Sequence, residues 1–516
     1  MRRLLPLLAA LSLGASGQAE PVPVVFIDGK GFGHGVGMAQ DGAYWMGRGG
    51  ATTPQILGHF YPGAGLGTAG GEVRVVVLPP LAANEASLSF PSGGEVRDAR
   101  GGAQSPGFPV AVPAGGVVRV RFDGARYVVS GDGRPAGTAA RASRASRSQP
   151  LPDPTATTST SSSSSTTTTT SPTASTSSTS TTSTTAGPPD RAPGLASSAR
   201  PLWAVSGGVI GVPARGRQYR GVVEATAVGS QLRLVNHVDV ETYLRGMGEV
   251  RDPSWPPASL RAQAIAARTY ALRAAGELCD DQRCQVYLGA AAEYRAMDKA
   301  VADSRGQVLV HQRRLIAAVY SANGGGVSAT RAEGFGTPDD DAHPYLRSAP
   351  YPTEDPGAWS VQVALRDVAA RLAYPGEVTD VRVGRTGASG RAVEVVLDGT
   401  AGPQVVTGIG FDRALGLRST LFTLRVGTSD SPPPPPPPAD EALLQVFPEP
   451  AAVAAAPWVD APAPEAVLSA PVPTTDDGRP LLPVAVALLA MVLVAMLLAG
   501  WGVARRAGLS GGALRF

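Results

Sequence analysis

Short valine-rich runs in which apolar and polar positions alternate, broken by glycine and proline, dominate the first part of the chain. "EVRVVVLP" (72–79), "ASLSF" (86–90) and "VVRVRFDGARYVVS" (117–130) predict antiparallel strands. Further on, "QLRLVNHV" (231–238) predicts another strand. Asp239 then suits the N-cap of a short helix, "VETYLRGM", with Glu241 close to its positive end. A longer, alanine-rich helix, "PASLRAQAIAARTYALRAA", begins at Pro257, where proline is favourable as the first helical residue. Strands return at "GQVLVHQ", "LIAAVYS", "DVRVG" and "AVEVVLD". The expected class is α+β, antiparallel strands with a few helices.

The pattern fails at both ends and twice between. "MRRLLPLLAALSLGASGQAEP" has the layout of a secretory signal over 1–19. Leu481 to Val503 is uncharged and long enough to cross about 30 Å of hydrocarbon, so a transmembrane helix is expected there. Arg505 and Arg506 follow it and Asp476 and Asp477 precede it. The tail 504–516 is therefore expected in the cytoplasm, and the bulk of the chain on the outer side of the membrane. From Thr155 to Thr185 every residue is Ser or Thr except Ala156, Pro172 and Ala174, a composition with nothing to bury, and 131–199 reads as a disordered linker. A second linker, 428–480, is acidic and Pro-rich and includes the seven prolines Pro432 to Pro438, a stiff polyproline II rod. Two foldable blocks remain, 20–130 and 200–427.

A net charge of +3, with the basic residues scattered, gives no reason to expect nucleic acid as a partner. The two cysteines, Cys279 and Cys284, lie close together in "CDDQRC"; in an exported chain a disulfide is the stronger reading and a metal site the weaker. In "GMGEVRDPSWP", Glu249 has Met247 and Val250 as neighbours and Trp255 six residues on. Desolvation there raises a carboxyl pKa toward the range of a general acid. The plainer reading, a surface glutamate at a helix C-terminus, is disfavoured because a negative charge there opposes the helix dipole.

"VNHVDVETYLRGMGEVRDPSWPPASLRAQAIAARTYALRA", "CQVYLG" and "AVADSRGQVLVHQRRLIAAVYSANGGG" together resemble the stage II sporulation protein D (SpoIID/LytB) family, as does the tail "SGRAVEVVLDGTAGPQVVTGIGFDRALGLRSTLFTL". Members usually close with a GxGxGHGVGMSQ-type motif. A similar element, "GKGFGHGVGMAQDGAYWMGRGGATTPQILGHFYP" (29–62), with Ala39 where serine is usual, stands here ahead of the main block, as a circular permutation would leave it.

The resemblance implies a glycan-binding groove, peptidoglycan glycan strands as partner, no cofactor, and lytic transglycosylase chemistry with Glu249 in the catalytic position. One acid then serves twice, protonating the departing glycosidic oxygen and later accepting a proton from the sugar's 6-hydroxyl, whereas ordinary glycosidases use two carboxylates. The alternative it implies is a non-catalytic, glycan-binding activator of a cell-wall amidase. His34 and Gln40 are candidates to bond sugar hydroxyls or the N-acetyl group. Ser321, Asn323 and Gly325 either line the groove or form a plain turn. Arg268 is a candidate to hold Glu249 or a substrate carboxylate, and Tyr44 and Trp45 either stack on sugars or belong to the core. The glycines at 33–37 are followed by no Lys-Ser/Thr, which argues against a nucleotide.

Overall fold

A computed structural model describes residues 21–81, 84–136, 194–274 and 276–430. The signal segment 1–19, the Ser/Thr tract, nearly all of the Pro-rich linker, the expected membrane span 481–503 and the tail 504–516 lie outside the described residues.

An eight-stranded and a six-stranded sheet share the first core. In the larger, Gln231–Asp239 is flanked antiparallel by Val222–Val228 and Glu72–Leu81. In the smaller, Gly116–Phe122 lies between Glu85–Phe90 and Tyr127–Gly131. Its alternate residues Val118, Val120 and Phe122 are buried, the period of two that a half-buried strand requires. Strands enter both ends of the expected linker: Arg134–Pro135 pairs with Val110–Val112, and Ala196–Ser198 with Tyr127–Gly131.

The helix Pro257–Arg273 joins two cores. Leu260, Ala264, Ala267 and Ala271 face the first, and Ala262, Ile265 and Ala266 face a second that includes Val36, Met38, Ile56, Leu57, Phe60 and Tyr61 of the N-terminal segment. A helix covered on two sides has no polar stripe to show. Its alanines serve close approach from both directions. A third core surrounds the strand Val22–Gly29, which lies between Trp359–Ala364 and Phe422–Ser429 and is antiparallel to both. Val22 stands opposite Ser429, so the start of one strand adjoins the end of the other.

The α+β expectation is corrected. The described residues form a mainly β structure of six sheets, with one long helix and several short ones. Among them no helix is long and apolar enough to cross a membrane; the expected span 481–503 lies outside them. Strands of two to four residues such as Leu202–Val205, Ile210–Val212 and Arg217–Tyr219 are too short to show alternation, and they tip the balance. "LIAAVYS" is not one strand: only Leu315, Tyr320 and Ser321 in it pair, while Ile316 and Ala318 turn into the second core.

Candidate active site

Glu249 follows the helix Val240–Arg245, whose N-cap Asp239 accepts from the Glu241 N–H. The chain then runs against 286–289. Gly248 N–H donates to Val286 O at 2.8 Å, and Leu288 N–H to Gly246 O at 2.9 Å. A Cβ on Gly248 would strike the Leu288 side chain, and one on Gly246 the Tyr287 ring, so glycine permits this approach. Glu249 thereby leaves the helix end and enters a groove it shares with His34, Gln40, Tyr270, Tyr320 and Ser321. On its other side lies a small apolar cavity lined by Leu244, Met247, Val250 and Met297.

Burial pushes the Glu249 carboxyl up to about 7, opposed only by hydrogen bonds from the Val286 N–H at 2.7 Å and the Tyr320 hydroxyl at 3.3 Å. Both donors reach Oε1. When the acid is neutral its proton therefore belongs on Oε2, the oxygen to which no described residue donates. The Tyr320 hydroxyl is aligned in turn: its oxygen accepts from Gln285 Nε2 at 2.9 Å, and Gln285 Oε1 accepts from the Tyr243 hydroxyl at 2.9 Å. Burial, followed by the nearby Glu249 charge, drives the Tyr243 and Tyr320 hydroxyls far above their ordinary range and Tyr270 up to about 12. These phenols stay neutral donors at any physiological pH.

Cys279 and Cys284 are bridged, with Cα atoms 5.5 Å apart. Cys284 reaches the groove wall, and the next two residues are Gln285, which aligns Tyr320, and Val286, which donates to Glu249. Asp280, inside the loop, is anchored by Arg215 at 2.6 Å and Arg217 at 2.7 Å. Among the described residues no group of three or more His, Cys, Asp or Glu is placed to hold a metal ion.

The N-terminal motif forms the opposite wall. Gly33, Gly35 and Gly37 all have positive φ, and a Cβ on Gly35 or Gly37 would strike the Arg391 guanidinium or the Val319 carbonyl. His34 Nδ1 accepts from Val36 N–H at 2.9 Å and its ring packs 4.6 Å from Phe335. Burial and the Arg391 charge push it down to about 3, so it is a neutral wall residue at working pH. Gln40 is buried and donates to Gln263 Oε1 at 3.3 Å. Ser321 is buried, and among the described residues its hydroxyl has no hydrogen-bond partner.

Three candidates stand elsewhere. Arg268 is fully buried and grips Glu241, with Nε–Oε1 at 3.0 Å and Nη2–Oε2 at 2.6 Å, and also donates to Gln307 O at 3.1 Å. The expectation that it holds Glu249 is corrected, because its guanidinium is spent on the core ion pair. Asn323 closes a turn, accepting from Gly325 N–H at 2.7 Å and donating to Asp355 O at 3.1 Å, while Gly325 supplies a positive φ beside Lys30 and Leu421. For Asn323 and Gly325 the plain-turn reading fits the geometry.

The sequence reading missed Val286 and Tyr320, which donate to Glu249 from segments distant in sequence, and Gln285 and Tyr243, which align Tyr320. It also missed Asp41, whose carboxyl burial pushes up to about 6 and which accepts from the Tyr351 hydroxyl at 3.0 Å.

Residues 228–311 match the family model described as stage II sporulation protein, SpoIID. That span holds Glu249, Gln285 and Val286 and supports membership of the segment in this sporulation family. It does not reach Tyr320 or the glycine motif. A similar curated protein, an uncharacterized protein of Brachyspira hyodysenteriae, is 32% identical over 145 residues, which is 26% of this chain and 38% of that relative. The chain thus covers well under half of the relative's length. No solved structure matches the chain.

Proposed function

We propose that the protein cleaves peptidoglycan glycan strands as a lytic transglycosylase, with Glu249 as both acid and base. The observation that carries this reading is a single carboxyl, pushed up to about 7 by burial, standing in a groove with its proton confined to one oxygen. Oε2 gives its proton to the glycosidic oxygen as the C1–O bond breaks. The carboxylate left behind keeps both donors on Oε1 and takes the proton of the sugar's 6-hydroxyl as that oxygen closes on C1. No water is consumed, and the enzyme returns to its starting protonation.

Ser321 and Gln40 hold the N-acetylated sugar in this scheme. The action is extracytoplasmic, in keeping with the bridged cysteines. The glycine motif is read as a circular permutation, since the adjoining ends at Val22 and Ser429 suit a short hairpin that is cut in this chain. The test is digestion of glycan stripped of its peptides by the wild type and by Glu249→Gln. Cleavage is expected to fall by about 10²–10⁴-fold in the variant while glycan binding persists. Undiminished cleavage would show that another group is the acid. No cleavage by either, with stimulation of an added amidase by both, would identify a non-catalytic activator instead.

A further inference from the structure

Gln40 belongs to the groove wall, and Tyr44 follows it four residues on in the helix Gln40–Arg48, on the same face and about 6 Å further along the axis. From the other flank comes Trp255, six residues beyond Glu249, with its ring centroid 5.3 Å from that of Tyr44. Trp45 sets its ring edge-on to Tyr44 at 5.1 Å. Trp255 is backed by the first core, whereas Tyr44 and Trp45 belong to none of the three cores and are only half-buried. Arg48 is exposed, lies 5.8 Å from the centroids of both Tyr44 and Trp45, and donates to the Tyr44 hydroxyl at 3.0 Å. Among the described residues no carboxylate pairs with it.

Aromatic faces suit the apolar C–H face of a pyranose, and a cation at their edge suits a ring with an acidic substituent. We infer that Tyr44, Trp255 and Arg48 form a further saccharide subsite, one helical turn from the groove, which takes a muramic-type sugar ring with its carboxylate on Arg48. The occupant is the continuation of the strand lying in the groove, because Tyr44 stands one helical turn from Gln40 of the groove wall, Trp255 six residues from Glu249, and the Arg48 charge complements the acid. This subsite rests on the glycan reading above.

The experiment uses the full chain carrying Glu249→Gln, so that the strand stays uncut, and measures calorimetric binding of two hexasaccharides. One is peptide-free glycan, which bears lactyl carboxylates; the other is an uncharged N-acetylglucosamine hexamer. Tyr44→Ala is expected to weaken both by about 5- to 10-fold, and Tyr44→Phe, which keeps the ring, to stay close to the parent. Arg48→Ala is expected to weaken only the acidic ligand, by about 3- to 10-fold, and to flatten its salt dependence. Parent-like binding of the acidic hexasaccharide by both alanine variants would overturn the inference. If Tyr44→Ala does not fold, the exposed Arg48→Ala decides, and equal binding by it sinks the assignment. A parent that binds neither sugar refutes the glycan reading itself. A parent that binds both, with indifferent variants, refutes the subsite alone.

Discussion

Replacing Glu249 by glutamine is expected to stabilise the protein at alkaline pH while disabling it. The glutamine oxygen keeps the bonds from Val286 and Tyr320, and its amide nitrogen stands where the protonated Oε2 stood. The variant thus copies the neutral acid at every pH. In the wild type the carboxyl, ordinarily near 4.5, is pushed up to about 7 by burial. A group whose folded pKa is raised contributes stability that is fully present below its unfolded pKa and is lost as pH rises through the folded one. With about 1.4 kcal/mol per pKa unit, the wild type should lose about 3 kcal/mol relative to the variant between pH 4 and pH 9, mostly between 5 and 7.5. Denaturant unfolding of both proteins across that range isolates the effect, because every other carboxyl, the raised Asp41 and Asp412 among them, is common to both. Coincident curves at pH 4 that diverge upward for the variant are expected. Parallel curves would mean that the half-buried Glu249 carboxyl is not desolvated as described, and the acid assignment would lose its physical basis.

Arg268→Met should cost about 3–5 kcal/mol by leaving Glu241 charged and buried, and adding Glu241→Leu should recover much of it; denaturant midpoints check both. Serine at both Cys279 and Cys284 should lower glycan cleavage by roughly tenfold or more by loosening the segment that carries Gln285 and Val286, with far-ultraviolet circular dichroism unchanged. Deleting residues 21–62 should abolish cooperative thermal unfolding, since the deletion removes the middle strand of the third core and half of the second, and joining the same segment after Asp430 should restore it.

What was legible in the sequence was local. Alternating valines gave the long strands, Asp239 and Pro257 gave the helix starts, and the apolar neighbours of Glu249 announced its burial, because each depends on residues a few positions away. Arg268 was misread because its partner Glu241, 27 residues earlier, looks like a helix-end charge until the helices Val240–Arg245 and Pro257–Arg273 pack together. His34 reads from the sequence as a free polar group, but its glycine neighbours make a turn tight enough for Val36 N–H to occupy Nδ1. Tyr320 and Gln285 are 71 and 36 positions beyond Glu249 and converge only through the fold. The mainly β character was hidden in strands too short to show a period.

The most direct test of the central claim is the mass of the products that the wild-type protein releases from peptide-free glycan in water enriched in oxygen-18. Intramolecular closure on the 6-hydroxyl predicts 1,6-anhydro ends, lighter by one water than hydrolytic ends and free of the heavy isotope. Reducing ends carrying oxygen-18 would contradict it, and would mean that water rather than the sugar's own hydroxyl is the nucleophile beside Glu249.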